Sequence, residues 1–342
     1  IDKPWLKYYS EGAINTPLPE CTIYEYLWEH NKDHLDNTAL NYFGQRITFL
    51  ELFDCIDKTA SAFSSIGVKA GDIVVITSVT TPETIYALYA LNRLGAISNM
   101  VDPRTSIEGI TDYIAEVGAS IVLTLDVAIP KIEMAIKNTY VQTVIVTSPA
   151  DSLLGLKKSL YQLKNRPVKL GEPYIGWSDF LAFGAGKKFE TKQYKKDECC
   201  VIVHTGGTTG TPKGVMLSDD NLNALVQQSI LTEIDMQREH TWMDIMPPFI
   251  AYGIGMGIHL PLVIGMETIL IPSFDAPKFD ALLLKYKPIH MVFVPSYWGT
   301  IINSRKLRNK DLSYIIAPTV GGDAMDIRLE EAANRFLKDH GC

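Results

Sequence analysis

The feature that most constrains this chain is a glycine- and hydroxyl-rich segment, residues 203–217. An apolar run, Cys199–Val203, leads into it and predicts a buried strand. The segment reads Thr205-Gly206-Gly207-Thr208-Thr209-Gly210-Thr211-Pro212-Lys213-Gly214, followed by a helical pattern from about Asp219. Glycines let the backbone approach a ligand, while hydroxyls, backbone N–H groups and a lysine bind phosphate oxygens. The segment therefore predicts a phosphate-binding loop between a strand and a helix.

Two other interpretations of this segment are less consistent with its residues. A plain glycine-rich turn rarely needs so many hydroxyl side chains together with a lysine. A Walker-type loop, G-x-x-x-x-G-K-[ST], needs glycine before the lysine and a hydroxyl residue after it. Here Pro212 precedes Lys213, and Gly214 stands where the magnesium-binding hydroxyl belongs. The spacing therefore disfavours a Walker-type loop.

The segment resembles the phosphate-binding signature of the adenylate-forming enzymes, which include acyl-CoA synthetases, amino-acid-activating domains and luciferases. Their pattern is roughly [Tyr/His]-[Ser/Thr]-[Ser/Gly]-Gly-Thr-Thr-Gly-x-Pro-Lys-Gly, and residues 204–214 match every position. The resemblance implies that the phosphates of ATP are bound by Thr205, Gly206, Gly207, Thr208, Thr209, Gly210, Thr211 and Lys213. It also implies that Lys213 and Thr208 are the catalytic residues among them.

Two later segments resemble family motifs that border the pocket for the acid. Met246–Gly253 resembles the family's Pro-Leu-Phe-His-x-x-Gly motif, with an isoleucine in place of the histidine. Val294–Tyr297 resembles the Val-Pro-Thr segment that lines the pocket for the carboxylate substrate. The resemblance implies that the acid contacts Phe249, Ile250, Tyr252, Gly253 and Tyr297. The nearby His259 is interpreted as a helix histidine with satisfied hydrogen bonds, and not as a catalyst.

A third segment, Gly321-Gly322-Asp323-Ala324, resembles the family loop that lies against the adenine ring. A strand that ends in two glycines before a helix lets the backbone approach a flat ring. An ordinary strand–helix turn is the alternative. The resemblance implies that Gly321, Gly322, Asp323 and Ala324 bind the nucleotide.

The chain as a whole predicts an α/β fold, because apolar β-branched runs alternate with helical patterns. We expect two successive α/β subdomains with largely parallel sheets packed by helices, residues 1–190 and 191–342. Residues 150–190 form a basic insertion in the first. A capping box at Thr48 and Glu51 predicts the start of a helix. The apolar run Tyr314–Ala317 predicts the last strand.

Charge and composition narrow the classes of partner. The net charge of −7 and the lack of a basic stripe argue against nucleic acid as a binding partner. Five cysteines without C-x-x-C spacing predict a reduced, cytoplasmic protein. Residues 245–266 carry no formal charge, so hydropathy alone would indicate a membrane span. Prolines and glycines interrupt that stretch and favour a buried loop, helix and strand instead.

The resemblance implies a two-step reaction that uses ATP, Mg²⁺ and coenzyme A. A carboxylate would attack the α-phosphorus of ATP, and a thiol would then take the acyl group. No acidic residue follows Phe249 closely, which disfavours an amino acid as substrate. The basic amphipathic stretch 151–164 resembles an insertion of long-chain fatty acid–CoA ligases and favours a fatty acid. An aryl acid is the alternative. The same stretch is either a surface helix or a peripheral membrane contact.

The family's Tyr-Gly-x-Thr-Glu motif and its small C-terminal domain with a catalytic lysine are not found in this sequence. We therefore interpret the chain as the larger part of an N-terminal domain, inactive by itself. Two other classes stay open at this stage. One is a nucleotide-binding but inactive relative that serves as an interaction module, and the other is a membrane-associated scaffold.

Overall fold

The computed structural model describes residues 3–164, 170–205, 213–232 and 234–342. The α-helices of this part are α1 (Glu11–Asn15), α2 (Ile23–Asn31), α3 (Phe49–Ser65), α4 (Pro82–Leu94), α5 (Ile107–Val117), α6 (Ile129–Ala135), α7 (Gly155–Lys164), α8 (Trp177–Phe183), α9 (Asp219–Ile230), α10 (Leu260–Ile264), α11 (Phe279–Tyr286), α12 (Trp298–Ile302) and α13 (Ile327–Asp339). Its strands are β1 (Thr38–Tyr42), β2 (Gln45–Thr48), β3 (Ile73–Thr77), β4 (Ile97–Val101), β5 (Ile121–Leu125), β6 (Thr143–Thr147), β7 (Tyr174–Gly176), β8 (Cys199–His204), β9 (Gly214–Ser218), β10 (Thr241–Asp244), β11 (Glu267–Leu270), β12 (His290–Phe293) and β13 (Ala317–Val320).

The strands form two sheets. The six-stranded sheet has the order β13-β12-β10-β11-β1-β2, and the seven-stranded sheet has the order β7-β6-β5-β3-β4-β8-β9. Neighbouring strands are parallel, except in the antiparallel pairs β1–β2 and β8–β9. The predicted α/β fold with two largely parallel sheets is therefore confirmed.

The two sheets do not follow one another along the chain. Strands β1 and β2 come early in the sequence, yet β1 pairs with β11 in the six-stranded sheet. Strands β8 and β9 come after residue 190, yet β8 pairs with β4 in the seven-stranded sheet. The predicted limits 1–190 and 191–342 therefore do not coincide with the sheets. Pairing between distant segments cannot be deduced from the order of elements alone.

Local signals in the sequence explain where several helices begin and end. The Thr48 hydroxyl accepts from the Glu51 N–H, and the Glu51 carboxylate accepts from the Thr48 N–H, so the predicted capping box is confirmed. Helix α4 spans Pro82–Leu94, with Pro82 in its first turn and Gly95 in the left-handed conformation at its end.

Some predicted elements are wrong or incomplete. The last strand is Ala317–Val320 and not Tyr314–Ala317, because residues 317–320 are those that pair with β12. Strand β4 was not predicted, although it lies at the centre of the seven-stranded sheet. Strand β9 occupies residues that the sequence indicated as part of the glycine-rich loop. These strands are identified by their pairing partners and not by a local apolar pattern.

One continuous hydrophobic core joins the two sheets. It contains side chains of both, such as Leu40 and Met243 of one sheet and Val74 and Val203 of the other. Helix α4 runs through this core, and all its residues except Arg93 are buried. Most residues of the uncharged stretch 245–266 are also buried, and the stretch contains a π-helical segment (Gly253–His259) and α10. No helix in the described ranges is long and apolar enough to cross a bilayer.

A buried carboxylate at the start of α9 joins three helices. Oδ1 of Asp219 accepts hydrogen bonds from the Ile23 N–H of α2 at 2.9 Å and from the Asn92 amide of α4 at 2.7 Å. One turn later, the Asn223 amide donates to the Cys21 carbonyl at 2.8 Å. Helix α9 follows the β8–β9 hairpin directly, so these bonds fix the position of that hairpin against the core.

We predict that Asp219→Ala destabilises the protein by about 2–4 kcal/mol, since it leaves two buried donors without an acceptor. Denaturant unfolding of the parent and the variant measures this loss. Asp54→Ala is the matched control, because Asp54 forms an exposed i,i+4 pair with Lys58 and should contribute less than about 1 kcal/mol. Equal destabilisation by both variants would show that the Asp219 hydrogen bonds contribute no more to the free energy of unfolding than an exposed ion pair does.

Candidate functional site

The ends of the predicted phosphate-binding loop lie side by side at the end of the β8–β9 hairpin. The Thr205 N–H donates to the Lys213 carbonyl at 3.1 Å, and the Lys213 N–H donates to Oγ1 of Thr205 at 3.4 Å. Both residues are exposed. Strand β8 is parallel to β4, so the loop leaves the sheet at its carboxyl edge. The structure thus places Thr205 and Lys213 where a ligand outside this edge can be reached.

The central residues of the loop lie outside the described residues. The predicted phosphate contacts concerned are those of Gly206, Gly207, Thr208, Thr209, Gly210 and Thr211. They stay predictions that the geometry of Thr205 and Lys213 does not test.

The residue before the loop, His204, is held from two sides. Its Nε2 donates to Oδ1 of Asn99 on β4 at 2.7 Å. Its ring stacks on Tyr113 of α5, with 3.8 Å between centroids. Burial lowers the pKa of His204, so the imidazole is neutral near pH 7. Sequence reasoning missed Asn99 and Tyr113, since no motif marks them and β4 itself was not predicted.

A cavity of about 570 Å³ lies at the carboxyl edges of both sheets. Thr80 follows β3 and Arg104 follows β4, whereas the other sheet contributes residues that follow β10, β11 and β12. In open α/β sheets, ligands bind outside the carboxyl ends of parallel strands. Two of the predicted acid-binding residues, Phe249 and Tyr297, line this cavity together.

One residue that the sequence did not indicate stands at the cavity. The Arg104 guanidinium is 5.6 Å from the Phe249 ring centroid and pairs with both carboxylate oxygens of Asp102. Its side chain is 79% exposed, so it lies at the rim. It is the one charged side chain among the described residues that line the cavity.

The remaining predicted acid-binding residues lie beside this cavity and not in its wall. The Tyr252 ring packs on Gly321, where an added Cβ would be 3.0 Å from Cζ of the tyrosine. A Cβ on Gly253 would lie 1.9 Å from the Pro247 carbonyl oxygen, so only glycine fits. Ile250 is partly buried and packs against the core. Contacts of these residues with an acid stay predictions.

The predicted adenine loop is open to solvent next to Tyr252. Gly322, with φ of 82°, and the two residues after it are exposed. The Gly321 N–H donates to the Phe293 carbonyl at 3.2 Å and holds the loop against the end of β12. Tyr252 therefore connects the Met246–Gly253 segment with the predicted nucleotide loop.

His259 is a core residue, as the sequence indicated. It is buried, its Nε2 lies 2.9 Å from Oδ1 of Asn223, and its Nδ1 lies 3.0 Å from the Tyr89 hydroxyl. Burial lowers its pKa to about 3, so it carries no charge at neutral pH. The interpretation of His259 as a satisfied helix histidine is confirmed.

The buried side chain of Asp244 contacts the start of the Met246–Gly253 segment. Oδ1 of Asp244, at the end of β10, accepts from the Met246 N–H at 2.9 Å. A Cβ on Gly257 would lie 2.6 Å from the same oxygen. Burial raises the pKa of Asp244 to about 8. The carboxyl group is therefore neutral at pH 7 and fixes the turn that begins the motif.

Comparison with known proteins gives the family and the fold. The model of a family described as "AMP-binding enzyme" matches residues 27–341. A long-chain-fatty-acid–CoA ligase from Bacillus subtilis is 25% identical over 338 residues, which cover 96% of this chain and 60% of the relative. The chain therefore spans less than two thirds of the length of this relative.

Solved structures share the fold. A long-chain-fatty-acid–CoA ligase from Archaeoglobus fulgidus superposes with a TM-score of 0.78 and 21% identity, over 95% of this chain and 62% of the other. An anthranilate CoA ligase in complex with anthranoyl-AMP also superposes with a TM-score of 0.78. Its identity is 18%, over 94% of this chain and 59% of the other. At these identities the likeness shows the fold alone.

We predict that Asp244→Asn removes a pH dependence of stability. The folded-state pKa lies above the unfolded value of 3.8, so the unfolded state loses its proton first as pH rises. This group's contribution therefore falls between about pH 4 and pH 8, by about 1.4 kcal/mol per pH unit. Unfolding free energies of the parent and Asp244→Asn between pH 5 and pH 9 measure the difference.

The variant should become the more stable of the two toward pH 8. Asp112→Asn is the control, since Asp112 is an exposed residue of α5. Parallel pH profiles for the parent and Asp244→Asn would show that Asp244 does not titrate as described.

Proposed function

Because the chain belongs to the AMP-binding enzyme family, we propose that it supplies the nucleotide- and acid-binding part of an AMP-forming acid–thiol ligase. A carboxylate attacks the α-phosphorus of ATP, giving an acyl-adenylate and pyrophosphate. The thiol of coenzyme A then attacks the acyl carbon, giving a thioester and AMP. The observation that carries this proposal is the position of Lys213 and of the Phe249–Tyr297 cavity at the carboxyl edges of the sheets.

The phosphate-binding loop serves mainly to neutralise charge. ATP and a carboxylate are both anions, so a fixed cation and oriented N–H groups lower the cost of bringing them together. Lys213 supplies the cation, and its bonds with Thr205 hold the loop ends in place. Thr208 and the other central loop residues are proposed to bind the β- and γ-phosphates.

The nucleotide base is proposed to lie against residues 321–324. Their exposed backbone leaves room for a flat ring, and the Tyr252 ring supports Gly321 from the inner side. The base and the acid would then lie on opposite sides of the Met246–Gly253 segment.

The cavity wall favours an apolar acid. Apart from Arg104 at the rim, the described lining carries no formal charge, and no carboxylate is present to bind an ammonium group. A fatty acid fits the many apolar side chains. An aryl acid is the alternative, since the rings of Phe249, Phe274 and Tyr297 line the same space.

The part of the chain that the structure describes contains no cluster of three or more His, Cys, Asp or Glu side chains that could hold a metal ion. In enzymes of this kind of chemistry, Mg²⁺ is bound largely through the phosphates of the substrate, and it would supply charge neutralisation there. No step of the proposal depends on its position.

ATP–pyrophosphate exchange by the full-length protein tests this function. We predict exchange that depends on one class of acid when fatty, aryl and amino acids are compared in the presence of Mg²⁺. An apolar cavity without a carboxylate should favour fatty acids over amino acids. Measurable ATP binding without exchange for any acid would instead favour an inactive relative that serves as a nucleotide-binding module.

We predict that Lys213→Ala lowers the exchange rate by roughly a hundredfold or more, because a cation at the developing phosphate charge is lost. The control is Lys310→Ala, which removes an exposed lysine outside the cavity. Unfolding midpoints of both variants should match the parent. Undiminished exchange in Lys213→Ala would refute the assignment of the loop.

Helix α7 is proposed to touch a membrane surface. Leu156, Leu160 and Leu163 recur at helical spacing and are 75%, 56% and 79% exposed. Lys158 supplies a positive charge beside them, and the Lys157 ammonium donates to the Phe43 carbonyl, which holds the helix on the protein. An apolar stripe flanked by lysines suits an anionic bilayer.

We predict that replacing these three leucines by alanine reduces sedimentation with anionic vesicles at least several-fold, since buried apolar area drives the contact. Leu50→Ala, an exposed leucine of α3, is the control. Equal sedimentation of the parent and the triple variant would leave α7 as an ordinary surface helix. A cytoplasmic location stays a prediction.

A further inference from the structure

A second concave region lies at the opposite edge of the seven-stranded sheet from the predicted active site. Two adjoining cavities of about 560 and 450 Å³ share Lys188, Phe189 and Thr191. They lie among α3, the end of α4 and residues 184–192. We call them together the basic groove. Each is in the size range of small-molecule sites.

The basic groove is at the amino-terminal edge of the sheet. Lys69 precedes β3, Leu94 precedes β4 and Lys192 precedes β8, and these strands are parallel. The cavity lined by Phe249 and Tyr297 lies beyond the carboxyl ends of β3 and β4. Five-residue strands span roughly 16 Å, so one ligand does not occupy both places.

The groove is positively charged on an otherwise acidic protein. The cations in its lining are Lys58, Lys69, Arg93, Lys187, Lys188 and Lys192, against the carboxylates of Asp57 and Glu190. The net charge of the whole chain is −7. Cations gathered in a concave site concentrate the field and attract anions.

Three of these cations are free to bind a ligand. Lys58 pairs with Asp54, Arg93 with Asp57 and Lys192 with Glu198. Lys69, Lys187 and Lys188 form no ion pair with any described residue, and all three are exposed. The lining therefore offers uncompensated positive charge.

The segment that carries these lysines is fixed to the helices beneath it. The Ser61 hydroxyl of α3 donates to the Lys187 carbonyl at 2.6 Å. The Lys192 N–H donates to the Arg93 carbonyl at 2.7 Å. A Cβ on Gly184 would lie 2.4 Å from the Ala62 nitrogen, so the segment packs closely on α3.

An aromatic side chain stands between the cations. The Arg93 guanidinium lies between the rings of Tyr24 and Phe189, at 4.3 and 4.7 Å from their centroids. Phe189 lines both cavities and gives the groove an apolar wall beside its charges. The lining thus combines positive charge with a surface for an organic group.

We propose that the basic groove is a second ligand site, and that it binds a small organic polyphosphate. Lysine ammonium groups are compact point charges that bind phosphate oxygens, and three unpaired lysines match a ligand with more than one phosphate group. Phe189 would contact the organic part. The site is separate from the phosphate-binding loop and does not depend on the proposed ligase function.

The test uses inorganic tripolyphosphate as the probe, without Mg²⁺, and calorimetric titration of the full-length protein. Because the loop at Lys213 is itself proposed to bind phosphates, titrations are made in a Lys213→Ala background. We expect this background protein to retain binding that weakens as salt is raised. Adding Lys187→Ala and Lys188→Ala should weaken binding roughly tenfold or more.

Two further variants make the test specific. Lys188→Glu should weaken binding more than Lys188→Ala, because it reverses the charge. Lys285→Ala together with Lys310→Ala removes two exposed lysines elsewhere and should leave binding unchanged. Since Lys187 and Lys188 are exposed, unfolding midpoints of all variants should match the parent. Unchanged affinity after loss of Lys187 and Lys188, or no binding in the Lys213→Ala background, would overturn the proposal.

Discussion

The buried Asp219 carboxylate is the contact on which the arrangement of the site depends. It joins the start of α9 to α2 and α4, whose bonding partners are 196 and 127 residues away in the sequence. Helix α9 begins directly after β9, so the same bonds determine where the β8–β9 hairpin emerges. Burial raises the pKa of this carboxyl group, and its hydrogen bonds offset that cost only in part. A buried charge retained at a junction of three helices is consistent with a role in fixing their positions.

The parallel pairing of the strands determines which residues lie together at the carboxyl edge of the sheet. Because β3, β4 and β8 run in one direction, Thr80, Arg104 and Thr205 leave the sheet at the same edge. Phe249 and Tyr297, which follow strands of the other sheet, line the cavity that Thr80 and Arg104 also line. The opposite edge of the seven-stranded sheet carries the basic groove. One sheet thus separates two anion-attracting regions by the length of its strands.

Sequence reasoning succeeded where the signal was local. The capping box at Thr48 acts within a few residues, so it was readable in the chain. The sheet to which each strand belongs could not be deduced from the sequence, because β1 pairs with a strand more than two hundred residues later. The family resemblance indicated Phe249 and Tyr297, which line one cavity, and their contact with an acid stays a prediction. Asn99 and Arg104 were missed, since both depend on β4, which only its pairing partners reveal.

The carboxyl edge also contains polar atoms that the described protein leaves without partners. Nδ1 of His204, the Asn99 amide nitrogen and the Tyr252 hydroxyl are buried, and none has a hydrogen-bond partner in the described ranges. Such groups usually cost about 1–3 kcal/mol each, so proteins rarely keep them without a reason. His204 ends β8, Asn99 lies beside it within β4, and Tyr252 packs on Gly321, where the nucleotide is proposed to bind. Buried polar atoms without a partner also occur elsewhere in the described ranges, such as Oε2 of Glu83 and Nε1 of Trp242. Such atoms are therefore a general feature of this fold, and the candidate site is located by the strand edges and not by these atoms.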